Sequence, residues 1–213
     1  MDKDYWNSYY LQFGEEENIA YCSSFAEFCL KKNFLKKNDT IVELGSGNGR
    51  DAIFFAHKDI NVIAIDQSTV AIEIEKKKLH SKVARFLTLY NLDFVNQDYS
   101  EYQDIDVFYS RFTIHSITKS DEDILLPKVY NSLKNGGFLC VEVRTVNDPL
   151  YGEGEFCEKD TYFTDHRRRF INSEEFLERV LKIGFKLVYF TEENNLSVYK
   201  NDNPVLMRII LKK

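Results

Sequence analysis

The run Ile41-Val42-Glu43-Leu44-Gly45-Ser46-Gly47-Asn48-Gly49-Arg50 sets the tightest limit on how this chain folds. Residues suited to a buried strand end on alternating glycines, and a segment suited to a short helix, Arg50 to Lys58, follows at once. Glycines after a strand let the backbone turn tightly and approach a ligand, while the next helix presents free N–H groups. A second strand, Asn61 to Ile65, ends on Asp66, and Ser68 or Thr69 can cap a helix running to about His80. Leu92 to Val95 reads as a weak third strand and Asp106 to Ser110 as a fourth. A helix over Asp121 to Leu133, with Pro127 inside it, is stopped by Asn135-Gly136-Gly137, and Phe138 to Thr145 is a strongly apolar strand. Ser173 to Ile183 is a further helix, and two strands, Phe185 to Phe190 and Val205 to Leu211, close the chain with no helix between them. Such alternation predicts an α/β sheet, parallel in its main part, with an antiparallel hairpin at one edge.

Two segments fall outside this rhythm. The start carries Tyr5, Trp6, Tyr9, Tyr10 and Phe13, followed by a helical pattern from about Ile19 to Leu35. From Val146 to Phe170 the pattern is irregular, rich in charge, glycine and aromatics, and a loop of that length in a compact domain is usually functional. The reading is of a single domain over 1–213, with 1–36 as an N-terminal lid and helical segment and 146–172 as a substrate loop.

Charge and composition remove several functions. With 28 basic and 34 acidic residues the net charge is −6, which disfavours a general nucleic-acid binder. No apolar run approaches the roughly 20 residues of a membrane span, and the first residues lack the apolar stretch of a signal peptide. Cys22, Cys29, Cys140 and Cys157 form no CxxC pair, so neither a zinc site nor a disulfide framework is expected, and reduced thiols of a cytoplasmic protein are the simplest reading. No metal is expected.

The acids choose between nucleoside cofactors. Glu43 stands just before the glycines, where a dinucleotide would place its pyrophosphate, and like charges repel there. S-adenosylmethionine has no phosphate and carries an ammonium that an acidic strand attracts. Its ribose suits Asp66, and its adenine amine suits Asp98, taken as the acid after the third strand. A nicotinamide-dependent oxidoreductase would use the same turn, although Glu43 counts against it. A non-catalytic nucleoside-binding module would keep the pocket alone.

The segments Glu43 to Gly49, Ala64-Ile65-Asp66, Asn96-Gln97-Asp98, Asp106 to Ser110 and Leu133 to Gly137 resemble class I S-adenosylmethionine-dependent methyltransferases. The resemblance implies a Rossmann-like, seven-stranded, mostly parallel sheet with the last strand inserted antiparallel and helices on both faces. It implies that Gly45, Ser46, Gly47 and Gly49 line the methionyl and ribose part, that Asp66 binds the ribose, and that Asp98 with neighbouring Tyr99 meets the adenine. Gln67 then flanks the adenine, and Ser110 and Arg111 lie where the fourth strand opens onto the cofactor. Apart from the resemblance, Tyr5, Tyr9 and Tyr10 of the N-terminal segment are expected to close over the cofactor as a lid.

The acceptor side has three candidate segments: Arg111 to His115, Glu142-Val143-Arg144, and His166 to Phe170 beside Tyr151. Arg111, Arg144, Arg168 and Arg169 suggest a guanidinium grip on a phosphoryl-type oxygen, with Tyr151 assisting. These segments also resemble methyltransferases linked to bacterial surface polysaccharides, some of which cap chains at a terminal phosphate. That resemblance implies a glycan-precursor or nucleotide-activated acceptor, phosphate or phosphoramidate. A sugar-hydroxyl or small-molecule acceptor would instead need a base, for which His115 and His166 are the candidates.

Overall fold

The structure is a computed structural model and describes residues 2–14, 22–102 and 104–213. Its centre is a seven-stranded sheet, ordered β3-β2-β1-β4-β5-β10-β9. The strands are β1 (Thr40–Leu44), β2 (Asn61–Asp66), β3 (Leu87–Asn91), β4 (Ile105–Arg111), β5 (Leu133–Arg144), β9 (Lys186–Glu193) and β10 (Leu206–Lys212). All neighbours pair in parallel except β10, which runs antiparallel to both β5 and β9. The hairpin therefore sits at an edge, with its second strand inserted inside the first, as the family resemblance implied.

Strand alternation divides the core into two layers. Val42, Leu44, Phe108 and Leu139 project to one face, against α6 (Lys119–Ser132) and α7 (Ser173–Ile183). Ile41, Val62, Val107 and Tyr109 project to the other, against α2 (Ser24–Lys31), α3 (Arg50–His57) and α5 (Ser81–Ala84). Strands covered on both faces are apolar almost without interruption, which is why β1, β4 and β5 stand out in sequence. Glu43 is the exception on β1. It takes the same side as Ile41, at the strand's carboxyl end, and is buried.

Several elements differ from expectation. The third strand is Leu87–Asn91 and not Leu92–Val95. The chain turns after Asn91, where Leu92 N–H donates to the Asp66 carbonyl and Asp93 Oδ1 accepts from Val95 N–H. The helical expectation from Ile19 shortens to α2, capped by the Ser23 hydroxyl on Ala26 N–H, and residues 19–21 lie outside the described residues. Helix α6 runs through Pro127, because the carbonyl left without its donor belongs to water-exposed Asp123. The long segment after β5 is not irregular throughout. It holds a second, three-stranded antiparallel sheet of β6 (Glu155–Glu158), β7 (Thr161–Phe163) and β8 (Arg167–Arg169). The aromatic start forms helix α1 (Lys3–Phe13), which packs on α4 (Thr69–Lys77). Among the described residues no helix is long and apolar enough to cross a membrane.

Candidate active site

The glycine turn is built by backbone that only glycine adopts without strain. Gly45 and Gly47 have φ of +74° and +59°, and a Cβ on Gly47 would run into the Tyr10 hydroxyl. Gly45 and Ser46 N–H groups donate to the Ile65 carbonyl at 2.8 and 3.1 Å, tying the turn to β2. Asp66 tightens it further: Oδ2 accepts from Gly47 N–H at 2.9 Å and Oδ1 from Ser68 N–H at 2.8 Å.

Above the turn lies a cavity of about 450 Å³, within the size range of small-molecule sites. Its floor is Glu43, Gly45 to Asn48 and Asp66. Helix α1 supplies one wall through Trp6, Tyr9 and Tyr10, and is pinned to the α4 N-terminus where Asn7 Oδ1 accepts from the Ser68 hydroxyl at 2.8 Å. Arg50, Asp51 and the Arg111 to Thr113 segment form another wall. The loop between β9 and β10 completes the enclosure with Leu196 to Tyr199 and Asp202. Phe112 sits there at φ +57°, a left-handed conformation costly for a bulky residue, under the Arg111 guanidinium 4.3 Å from its ring.

The floor is acidic. Burial, followed by Asp51 and Glu75, raises the Glu43 carboxyl well above its ordinary range, with Arg111 opposing. Glu43 Oε2 is buried and has no hydrogen-bond partner among the described residues. An orphaned acid oxygen at the cavity floor fits a ligand that brings a cation or an N–H donor, as the ammonium of S-adenosylmethionine does. Asp51 is differently occupied, accepting from Ser23 N–H, the Ser23 hydroxyl and the Tyr109 hydroxyl.

Behind the floor, Glu75 accepts from the Ser46 hydroxyl at 3.0 Å and is wholly buried. Burial pushes its pKa up to about 8, against the opposing Ser46 hydrogen bond. The folded chain thus keeps a proton that an unfolded glutamic acid, titrating near 4.5, releases. Stability from this group is full below that value and falls as pH rises toward about 8, at about 1.4 kcal/mol per pH unit. Glu75→Gln should therefore lose less melting temperature than the parent between mildly acidic and mildly basic buffer. An equal loss in both proteins would contradict the assignment.

The cationic side is also paired from within. Arg111 Nε donates to Glu142 Oε1 at 3.0 Å, and Arg208 Nε donates to Glu142 Oε2 at 2.5 Å, so one buried carboxylate serves two guanidiniums. Burial works against the charge on Arg111, but Glu142 and Asp51 outweigh it and raise its pKa. Arg50 is lowered by burial and then by Arg111, a like charge across the cavity wall.

Of the residues singled out from sequence, Glu43, Gly45, Ser46, Gly47, Asp66, Tyr9, Tyr10 and Arg111 meet at this cavity. Gly49 is instead the cap of α3, and Ser110 is buried beneath, its hydroxyl 2.7 Å from that of Thr113. Gln67 is buried outside the lining. Asp98 is exposed and accepts from Ser100 N–H in a short 3-10 turn, while Tyr99 is a core residue donating to the Phe94 carbonyl. Once β3 ends at Asn91, the acid that follows it is Asp93. Tyr5 turns away from the cavity to donate to Asp165 and stack on His166, centroids 4.7 Å apart.

The four-arginine grip does not assemble. Arg144 bonds both oxygens of Asp148 and also Asp202. Arg169 bonds Glu122 and the carbonyls of Ile114 and Ile117. The Arg168 guanidinium makes no hydrogen bond among the described residues, with Asp165 3.8 Å off. Tyr151 donates to Asp160 and lines neither cavity. His115 and His166 border a second cavity. His115 Nδ1 accepts from Arg144 N–H at 3.3 Å. Burial, then Arg144 and Arg168, hold its pKa well below 6.5, so it is a neutral ring presenting Nε2–H, a donor and not a base.

Phe112 and Thr113 lie in the Arg111 to His115 segment and Trp6 in the N-terminal aromatic cluster, whereas Arg50, Glu75 and the loop from Leu196 to Asp202 had no site role from sequence. Arg50 follows the glycine motif directly and was the one legible candidate, whereas the loop is an ordinary polar connection whose place depends on the inserted strand.

The seven-stranded sheet with its inserted antiparallel strand is the Rossmann-like fold seen in S-adenosylmethionine-dependent methyltransferases. Residues 41–137 match the family described as Methyltransferase domain. A carboxy-S-adenosyl-L-methionine synthase of Nautilia profundicola is 28% identical over 178 residues, covering 80% of this chain and 71% of that protein. A SAM-dependent methyltransferase from Methanosarcina mazei superimposes with a TM-score of 0.71 at 17% identity, covering 86% of this chain and 96% of that one. The glycopeptide N-methyltransferase MtfA, solved with S-adenosylmethionine, gives 0.68 at 15% identity, covering 90% and 94%. Those two likenesses establish the fold.

Proposed function

We propose that the chain transfers a methyl group from S-adenosylmethionine to an anionic, phosphoryl-type oxygen. The acceptor belongs to a surface-polysaccharide precursor or a nucleotide-activated intermediate in the cytoplasm. The observation that carries this reading is the polarity of one cavity: the unpartnered Glu43 oxygen on its floor and the charged Arg111 on its wall.

Glu43 would hold the cofactor's ammonium, Asp66 its ribose hydroxyls, and the bare backbone of Gly45 to Gly47 would lie along its length. When bound, the cofactor supplies an electrophilic methyl group. The chain's task is then to orient the acceptor and keep water out. Helix α1 excludes water, with Trp6, Tyr9 and Tyr10 already against the cleft. Arg111, held by Glu142, would orient an anionic oxygen, and Arg168 is the arginine least committed to internal acids. An anionic oxygen is nucleophilic without deprotonation, which agrees with a His115 that cannot serve as a base through Nδ1.

Calorimetry in buffers of different ionisation enthalpy tests the floor. Cofactor binding should release a proton, because an arriving cation favours the charged form of Glu43, and affinity should rise with pH. Methylation of phosphorylated glycan precursors should fall roughly tenfold or more in Arg111→Gln, as loss of a charge-assisted bond implies, while S-adenosylhomocysteine affinity stays within a few-fold. Activity that survives Arg111→Gln but fails in His166→Gln would favour a base-dependent hydroxyl acceptor.

The relative from Nautilia favours a second reading, in which a carboxylated S-adenosylmethionine is the product. Mass spectrometry separates the two. Methyl transfer yields S-adenosylhomocysteine, and the second reading yields a species heavier than the cofactor.

A further inference from the structure

A second cavity, of about 420 Å³, opens beside the first. One wall is a face of the small sheet. Thr161, Phe163, Arg167 and Arg169 occur at alternate positions on paired strands, with Thr161 opposite Arg169 and Phe163 opposite Arg167, so they share that face. The facing wall includes Trp6 of α1, His115 and Ser116. Trp6 and Ser116 also line the cofactor cavity, so the two spaces share a partition of two side chains, one of them on the lid helix.

The lining selects by chemistry. Its arginines are occupied, Arg167 by Glu158 at 2.5 Å and Arg169 by Glu122. Carboxylates of Asp2 and Glu158 face the space. A phosphate here would meet two carboxylates and no uncommitted guanidinium. A purely apolar ligand would leave the polar side chains of this lining without hydrogen-bond partners. What remains is a neutral ligand that both donates and accepts hydrogen bonds and has flat C–H faces for the rings of Trp6 and Phe163. A polyhydroxylated ring meets each condition: its hydroxyls donate to Asp2, Glu158 and the Thr161 oxygen, whose own proton goes to the Lys159 carbonyl, and accept from the His115 Nε2–H.

We infer that this cavity is the acceptor's recognition subsite and takes a glycosyl ring, with the group to be methylated reaching past Trp6 and Ser116 into the cofactor cavity. This rests on the proposed methyl transfer for its placement of the reacting group, but the cavity's ligand class is tested independently of turnover.

Trp6 is the only tryptophan of the chain, so indole emission reports on the partition. The protein, with and without S-adenosylhomocysteine, is titrated with methyl glycosides of glucose, galactose and mannose, and with inorganic phosphate and cyclohexanol as contrasts. At least one glycoside should change the emission saturably, and the contrasts should not. Phe163→Ala should weaken that response roughly tenfold, as loss of an aromatic face implies, with S-adenosylhomocysteine affinity unchanged. Cys157 lies on the cavity rim and is the exposed one of the four free cysteines. Its alkylation should abolish the glycoside response, leave the cofactor site intact, and have no such effect in Cys157→Ser. A response to phosphate alone, or none to any glycoside while S-adenosylhomocysteine binds normally, overturns the subsite and leaves methyl transfer standing. Failure of S-adenosylhomocysteine to bind overturns methyl transfer, and the titration of the free protein still decides the cavity.

Discussion

Asp66→Ala is expected to weaken S-adenosylhomocysteine binding by about 100-fold or more, with the chain still folded. Two backbone donors, Gly47 N–H and Ser68 N–H, lose a charged acceptor at once, and a ribose would lose its partner. Hydrogen bonds to charged groups contribute roughly 1.5–3 kcal/mol each, and about 2.8 kcal/mol corresponds to a hundredfold in affinity. Asp66→Asn keeps one acceptor oxygen and should fall between the variant and the parent. Calorimetry measures the affinity, and circular dichroism checks the fold. Binding within threefold or so of the parent in both variants would show that the turn is held, and the ribose bound, by something else.

The largest loss of stability should come from Glu142→Ala. Glu142 is fully buried between Arg111 and Arg208 and also accepts from the Ser197 hydroxyl, which belongs to the loop over the cavity. Its removal leaves two guanidiniums in the interior without their counter-charge, a change of roughly 3–5 kcal/mol. For a chain of this size each kcal/mol moves the melting temperature by about 2–4 °C, so a fall of roughly 6–20 °C is expected by differential scanning calorimetry. A fall of only about 2 °C would mean that water already solvates both guanidiniums. Since Arg111 depends on this carboxylate, the variant should also lose acceptor methylation more than cofactor binding.

These outcomes show where the sequence is informative. Strands β1, β4 and β5 are buried on both faces and read as continuous apolar runs, and the glycine turn with Asp66 follows from their carboxyl ends. β3 is an edge strand whose Thr88, Leu89 and Tyr90 are not fully buried, so its pattern is weak. A third strand at Leu92–Val95 would be followed by Asp98, whereas the strand at Leu87–Asn91 is followed by Asp93. The arginines mislead for a different reason. Glu122 stands 47 residues before the Arg169 it neutralises, and Asp202 stands 58 after Arg144. Nothing local in the triplet Arg167-Arg168-Arg169 reveals that alternate members face a different side of a three-residue strand. The loop from Leu196 to Asp202 reaches the cavity only because β10 runs antiparallel, and that order is a property of the sheet.

Parallel titration of the protein with S-adenosylmethionine, S-adenosylhomocysteine and NADH goes most directly to the acid-floored cavity. One molecule of either sulfur nucleoside should bind per chain, with proton release on binding the sulfonium form, and NADH should give no heat above dilution. Saturable binding of NADH, with neither sulfur nucleoside bound, would contradict the account.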